Sequence, residues 1–135
     1  MSAKETSPVA TAPSLFRAAE DLRRASTTVG APGWVDEARS SVRGAILAVE
    51  QSLGGLAAAD GLGEEILDRE PRLLHALEEL EAALAGALVS LWETSSGQTE
   101  LSPGHLPELA RRLLSLAQRT FDLVQESMNE PAATD

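Results

Sequence analysis

The sequence predicts an all-α protein, an antiparallel four-helix bundle with a short first helix, and three observations favour this fold class. The apolar residues are mostly Leu, Ala and Val, with two Phe, two Trp and no Tyr, a set that suits helix interfaces better than sheets. They recur at steps of three and four along several segments. A hydrophobic content of 43% in 135 residues is enough for one core. We therefore expect one helical domain at 13–129, between a disordered segment at 1–12 and a flexible tail at 130–135.

The first predicted helix begins at Pro13-Ser14 and is short. Gly30, Pro32 and Gly33 break the chain after it. A helix of this length is marginal by itself, so we expect it to depend on packing of its apolar face. That face comprises Leu15, Ala18 or Ala19, Leu22 and Ala25.

The second predicted helix runs from about Trp34 to the Gly54-Gly55 pair or one turn beyond it. Apolar residues at steps of three and four indicate a single buried face. This face comprises Val35, Ala38, Val42, Ala45, Val49, Leu53 and Leu56.

The third predicted helix follows Asp60-Gly61, and Pro71 should bend or restart it because proline has no N–H to donate. Beyond Pro71 the apolar residues follow a 4-3-4-3-4 spacing, which is typical of a seam between packed helices. The seam comprises Leu73, Leu77, Leu80, Leu84, Ala87 and Leu91.

The fourth predicted helix begins at Ser102-Pro103, a capping residue followed by a first-turn proline. Its predicted buried face comprises Leu106, Ala110, Leu113, Ala117, Phe121, Val124 and Met128. Three helices of about 25 to 30 residues and one shorter helix are the set expected of an antiparallel bundle.

Charge and composition exclude several classes of function. The net charge is −10, and the longest basic clusters are Arg23-Arg24 and Arg111-Arg112, which predicts no binding to nucleic acid or to an anionic membrane. The chain lacks cysteine, so disulfides and thiolate metal sites are excluded. Because no segment has the roughly 20 apolar residues of a membrane span, and residues 1–14 lack the apolar run of a signal peptide, we expect a cytoplasmic protein.

The sequence offers little catalytic chemistry. Its two histidines, His75 and His105, are too few for a His-rich metal site, and neither belongs to the Glu-x-x-His motif of di-iron bundles. His75 lies off the Leu73–Leu91 seam beside Glu78 and Glu79, so we interpret it as a surface residue. His105 precedes a helix and suits a loop or cap. Glycine-rich phosphate loops and a serine nucleophile context are also missing, which predicts a protein that is not an enzyme and has no cofactor.

Two segments carry a resemblance to a known family. Residues 60–84, DGLGEEILDREPRLLHALEELEAAL, and residues 117–127, AQRTFDLVQES, resemble stretches of the bacterial hemerythrin-like (HHE cation-binding) family. Members of that family are small four-helix bundles that hold two metal ions. The resemblance therefore implies a bundle fold, which agrees with the apolar periodicity.

The positions that the resemblance assigns to metal ligands hold no ligand pairs here. In the family, a His and a Glu precede the Asp-Gly-Leu turn, a Glu-His pair follows Pro-Arg-Leu, and a His and a Glu lie on the last helix. Iron and manganese sites need imidazole and carboxylate groups that converge from several helices. The resemblance thus implies a degenerate member without metal, although an ordinary bundle that never held metal fits the same residues. The corresponding residues here are Ser52, Leu56, Ala83, Leu84, Leu116 and Thr120.

Two functional hypotheses follow. The first is a metal-free bundle that acts as a protein-interaction, regulatory or structural module and binds a protein partner. Its candidate surface is an acidic band of eight acids against two arginines, a balance of −6 over 60–81. The second is a residual metal-binding or small-ligand-binding protein, of the kind that senses or stores oxygen or iron. The acidic band comprises Asp60, Glu64, Glu65, Asp68, Glu70, Glu78, Glu79 and Glu81.

Overall fold

The computed structural model describes residues 8–57, 62–93 and 104–129, and within these ranges the chain is helical with no strand. The all-α prediction is confirmed. Five helices are present rather than four, because the segment before Pro71 forms a helix of its own. They are α1 (Pro8–Ser26), α2 (Trp34–Ala57), α3 (Leu62–Arg69), α4 (Arg72–Glu93) and α5 (His105–Asn129).

Helix α1 is longer than the sequence predicted. It begins at Pro8, five residues before the expected start, and has 19 residues. Pro13 lies inside it as the sixth residue, beyond the first turn, so the helix lacks one backbone hydrogen bond there. Ala12 is already buried. The predicted face of α1 is confirmed, since Leu15, Ala18, Ala19, Leu22 and Ala25 are all buried.

The connection from α1 to α2 depends on glycine. Gly30 and Gly33 have φ angles of 96° and 80°, a region that side chains with a Cβ rarely adopt. Trp34 follows at once and is buried at the start of α2. Most of the predicted face of α2 is buried as well, while Val35 and Leu53 are half-buried against the core.

Helix α3 ends and α4 begins at Pro71, as the sequence predicted. The backbone N–H of Glu70 still donates to the carbonyl of Ile66 at 2.9 Å, and the next bond is from Leu73 to Glu70 at 3.1 Å. At its other end α3 lies directly against α2. A Cβ on Gly63 would be 2.8 Å from the carbonyl oxygen of Gly55. Glycine therefore permits this close approach.

Helix α4 confirms the predicted seam, because all six of its apolar positions are buried, from Leu73 to Leu91. Helix α5 confirms the prediction only in part. Leu106, Ala110, Leu113, Ala117 and Val124 are buried, but Phe121 is 39% exposed and Met128 is 59% exposed. The prediction for these two residues is wrong. The core side of α5 instead also includes Leu109, Thr120 and Leu123, and the predicted Ser102-Pro103 start lies outside the described residues.

One core joins all five helices. Helix α1 packs most extensively against α5 and then against α2, while α2 also packs against α4. Helices α4 and α5 share a smaller contact, and short α3 lies against α2 and α5. Each helix contributes to the same apolar cluster, for example through Leu22, Val42, Ile66, Leu84 and Leu113.

Two further contacts join long helices in pairs. Arg39, early in α2, reaches Leu91, late in α4. Phe16 of α1 meets Phe121 of α5 edge to face, with ring centroids 6.0 Å apart and an interplanar angle of 76°. Aromatic pairs favour this geometry.

Candidate functional site

The six residues at the predicted ligand positions lie in or against the core. Ser52, Leu56, Leu84 and Thr120 are buried. Ala83 and Leu116 are half-buried and pack against the apolar cluster, so Leu116 is less enclosed than a core residue. Two of the positions lie on each of α2, α4 and α5, and on each helix at least one of the two is buried.

The side chains at these positions do not fit a pair of metal ions. Leucine and alanine have no donor atoms, and the two hydroxyls of Ser52 and Thr120 are poor substitutes for imidazole and carboxylate. Among the described residues no group of three or more His, Asp or Glu side chains could hold a metal. The hydroxyls of Ser52 and Thr120 are nevertheless unusual, because both are buried without a hydrogen-bond partner in the described part of the chain.

His75 lies on a helix surface, as the sequence predicted, whereas His105 belongs to a helix rather than to the loop or cap before it. His75 is exposed on α4, and its Nε2 lies 3.0 Å from a carboxylate oxygen of Glu79 one turn later. His105 is the first residue of α5 and is half-buried.

The acidic band is exposed but partly neutralised. Glu65 pairs with Arg69 at 3.7 Å, and Glu70 accepts a hydrogen bond from Arg119 of α5 at 2.9 Å, which holds the pKa of Arg119 above its ordinary value. Exposed ion pairs of this kind add little stability. Asp60 lies outside the described residues, while Glu64, Asp68, Glu78 and Glu79 are exposed.

The carboxyl groups of Glu50, Glu78 and Glu81 interact between α2 and α4. Burial raises the pKa of Glu81, and the hydrogen bond and negative charge of Glu50 raise it further, followed by the charge of Glu78. Like charges this close favour a protonated Glu81. Sequence reasoning missed the pair, because Glu50 lies on a different helix from the acidic band.

An exposed tryptophan lies at the end of α4. Trp92 is 56% exposed, and the guanidinium groups of Arg39 and Arg43 lie 4.6 Å and 5.8 Å from its ring centroid. Both distances suit cation–π contacts. Arg39 also pairs with Asp36 at 3.5 Å. The two arginines cover one face of the ring and make Trp92 part of the α2–α4 contact.

A row of exposed apolar side chains runs along the outside of α5. Leu114 is 47% exposed, and Phe121 and Met128 follow it at intervals of seven residues. We call these three side chains the α5 ridge. Sequence analysis assigned Phe121 and Met128 to the core and passed over Leu114. The signal that identifies the ridge is its seven-residue spacing, which keeps all three residues on one side of a helix.

A groove of about 530 Å³ lies beside the α5 ridge, between α1 and α5. Its walls are apolar and comprise Phe16 and Ala19 of α1 with Pro107, Ala110 and Leu114 of α5. The volume is within the range of roughly 300 to 1,000 Å³ that ligand-binding clefts occupy. Leu114 belongs to both the ridge and the groove, so the two form one continuous surface.

Charged side chains of both signs border the groove. Arg23 donates to Glu20 at 2.6 Å, and this bond holds the pKa of Glu20 below its ordinary value and that of Arg23 above it. On the opposite side, Arg111 pairs with Glu108. The border is therefore close to neutral, in contrast to the strongly acidic chain.

Comparisons of the chain with protein-family models, with curated protein sequences and with solved structures found no match. In the described ranges no helix is both long enough and apolar enough to cross a membrane.

Proposed function

We propose that this chain is an antiparallel four-helix bundle related to the bacterial hemerythrin-like family, that it holds no metal, and that it acts in the cytoplasm as a protein-interaction module. In this arrangement α1, α2, α4 and α5 are the four bundle helices. Helix α3 is a short addition between α2 and α4.

The helix contacts support the bundle. Arg39, early in α2, bonds Leu91, late in α4, and the groove brings Arg23, late in α1, beside Pro107, early in α5. Adjacent helices of an antiparallel bundle make contacts of this kind. The order of packing, α1 with α5 and α2, and α4 with α2 and α5, closes a four-membered ring.

The residues at the predicted ligand positions support descent from a metal-binding bundle. All six lie in or against the core on three helices, and Ser52 and Thr120 are polar residues in an apolar interior. An unpaired buried hydroxyl costs stability, so a core position without an earlier polar role is expected to hold an apolar side chain. Leu56 and Leu84 contribute hydrocarbon where the family has ligands.

The observation that carries the interaction function is the continuous apolar surface formed by the α5 ridge and the α1–α5 groove. Exposed apolar residues scattered singly need no explanation, but a connected patch bordered by polar groups is typical of binding surfaces. The acidic band is a second candidate surface, suited to a basic partner through charge steering.

The test is capture of protein partners by the full chain from its native source, with matched variants. Leu114→Gln removes part of the apolar surface, and Leu47→Gln is the control, since Leu47 is 53% exposed on α2 away from α5. We expect Leu114→Gln to lose the captured partner and Leu47→Gln to keep it. A partner that is kept by Leu114→Gln but lost with added salt and with the Glu64→Gln, Glu78→Gln double variant would assign the interaction to the acidic band.

A residual binding protein is the second candidate, and the unpartnered hydroxyls of Ser52 and Thr120 favour it over a purely structural bundle. Such hydroxyls could hold a water or a small polar ligand inside the bundle. Elemental analysis after incubation with Fe²⁺ or Mn²⁺ and dialysis tests the metal-binding form of this candidate. The metal-free proposal expects far less than one ion per chain, and near-stoichiometric metal would contradict it.

A further inference from the structure

We propose that the α5 ridge and the α1–α5 groove bind a second copy of this chain, giving a two-fold symmetric dimer. This inference rests on the proposed interaction function and names its partner.

The spacing of the ridge points to a helix as the occupant. Leu114, Phe121 and Met128 span 14 residues, or about 21 Å of helix at 1.5 Å per residue. A seven-residue apolar repeat is the pattern by which helices pack along their length. A small ligand in the groove would cover Leu114 and leave Phe121 and Met128 in water.

The shape of the surface fits a copy of itself. A two-fold interface uses the same patch on both subunits, so that patch must contain complementary parts. Here a ridge and a groove lie side by side and share Leu114. When two copies meet with their α5 helices antiparallel, the ridge of each faces the groove of the other. Both apolar surfaces are then covered.

Charge supports the same partner. Two chains of net charge −10 repel each other, and a face that is locally close to neutral keeps this repulsion small where they meet. Around this face three arginines, Arg23, Arg111 and Arg119, balance three acids, Glu20, Glu108 and Asp122. Arg111 lies towards the start of α5 and Asp122 towards its end. An antiparallel pair therefore brings the arginine of one copy towards the aspartate of the other.

Leu47 and Trp92, two exposed apolar residues elsewhere, lack this combination. Leu47 lines a separate, more polar groove against α1, and Trp92 is covered on one face by Arg39 and Arg43. Leu47 therefore supplies a matched control of similar exposure.

The experiment is analytical ultracentrifugation of the full chain between about 1 and 200 µM, a range in which modest interfaces dissociate. We expect a concentration-dependent dimer. Leu114→Gln and Phe121→Gln should each raise the dissociation constant by about tenfold or more, as expected for central interface residues, while Leu47→Gln leaves it unchanged. Circular dichroism of each variant checks that the helices are retained.

Charge exchange tests the antiparallel orientation. Arg111→Asp and Asp122→Arg should each weaken the dimer by placing like charges together, and the double variant should recover part of the loss. If the dimer of the double variant has a dissociation constant no lower than that of the weaker single variant, the two-fold arrangement is wrong.

Several outcomes would overturn the second-copy proposal. They include a chain that stays monomeric at every concentration and a dimer that is insensitive to Leu114→Gln. If the chain is a monomer and Leu114→Gln abolishes capture of a partner, the proposed interaction function stands, but the partner on this surface is a different protein. A monomer whose Leu114 is needed to bind the fluorescent apolar anion 1-anilinonaphthalene-8-sulfonate would assign the groove to a small ligand.

Discussion

Arg39 of α2 closes the end of α4 by donating two hydrogen bonds to the carbonyl oxygen of Leu91, from Nε at 3.2 Å and from Nη2 at 2.9 Å. This carbonyl is among the last four of α4, which have no partner inside the helix. The guanidinium of Arg39 thus provides a donor for an otherwise unpaired carbonyl at the end of α4. It joins α2 to α4 through two residues that are 52 positions apart in sequence.

Arg39→Ala should lower the free energy of unfolding by about 1.5 to 3 kcal/mol, the range for a hydrogen bond to a charged group. Arg43→Ala is the control, because Arg43 also lies over Trp92 but does not bond the carbonyl of Leu91. Removing the Arg43 side chain should lower the free energy of unfolding by at most about 1 kcal/mol. Urea denaturation of both variants measures the difference. Equal costs would mean that stacking on Trp92, rather than capping, stabilises this end of α4.

Leu84→Ala should cost about 2 to 5 kcal/mol, as expected for truncation of a fully buried leucine. His75→Ala should cost under about 0.5 kcal/mol, because His75 is exposed and makes one surface contact, to Glu79. Leu116→Ala should fall between the two, since Leu116 is half-buried. Denaturant unfolding gives all three values, and a silent Leu84→Ala would contradict the packing of α4.

Gly63→Ala should destabilise the protein by about 1 to 3 kcal/mol, because the new Cβ would press on the backbone of α2 and force the helices apart. Gly86→Ala provides the contrast. No atom lies within 4 Å of a Cβ built there, and alanine is the better helix former. We expect Gly86→Ala to raise the free energy of unfolding by about 0.5 to 1 kcal/mol, as measured by thermal unfolding. If both substitutions stabilise, α3 does not pack as closely as described.

Glu81→Gln should stabilise the protein at pH 7. The folded-state pKa of Glu81 is raised by burial and by Glu50 and Glu78, so the folded chain binds this proton more tightly than the unfolded chain. The contribution is fully present below the ordinary glutamate pKa of 4.5 and is lost as pH rises through the higher folded value. The variant's advantage should therefore shrink towards pH 4.5 in denaturation curves. Glu79→Gln, at an exposed position of the same helix, is the control.

The sequence predicted the parts of the fold in which one apolar stripe leaves a single choice of buried face. In α4 the six seam positions from Leu73 to Leu91, spaced at steps of four and three, are all buried. In α5 two rows of apolar residues compete for the core, because the adjacent residues Leu113 and Leu114 belong to different rows. Packing of α1 against α5 decides between them, and that contact joins residues about 100 positions apart, such as Phe16 and Phe121.

The candidate site was less predictable for a similar reason. The apolar groove needs Ala19 of α1 beside Ala110 of α5, and the Glu50–Glu81 pair needs α2 beside α4. No local pattern encodes either pairing. The missing hydrogen bonds of Ser52 and Thr120 likewise depend on what surrounds each hydroxyl in the folded core.

The two tryptophans give the protein a built-in pair of optical probes. Trp34 is 4% exposed inside the core at the start of α2, whereas Trp92 is 56% exposed at the end of α4. A water-soluble quencher such as acrylamide should reach Trp92 in the native state and Trp34 only after unfolding. Trp92→Phe then leaves a single emitter that reports the α1–α2 end of the core, and Trp34→Phe leaves one that reports the contact of α4 with Arg39 and Arg43. Opening of either region can therefore be followed separately in the same chain by its fluorescence.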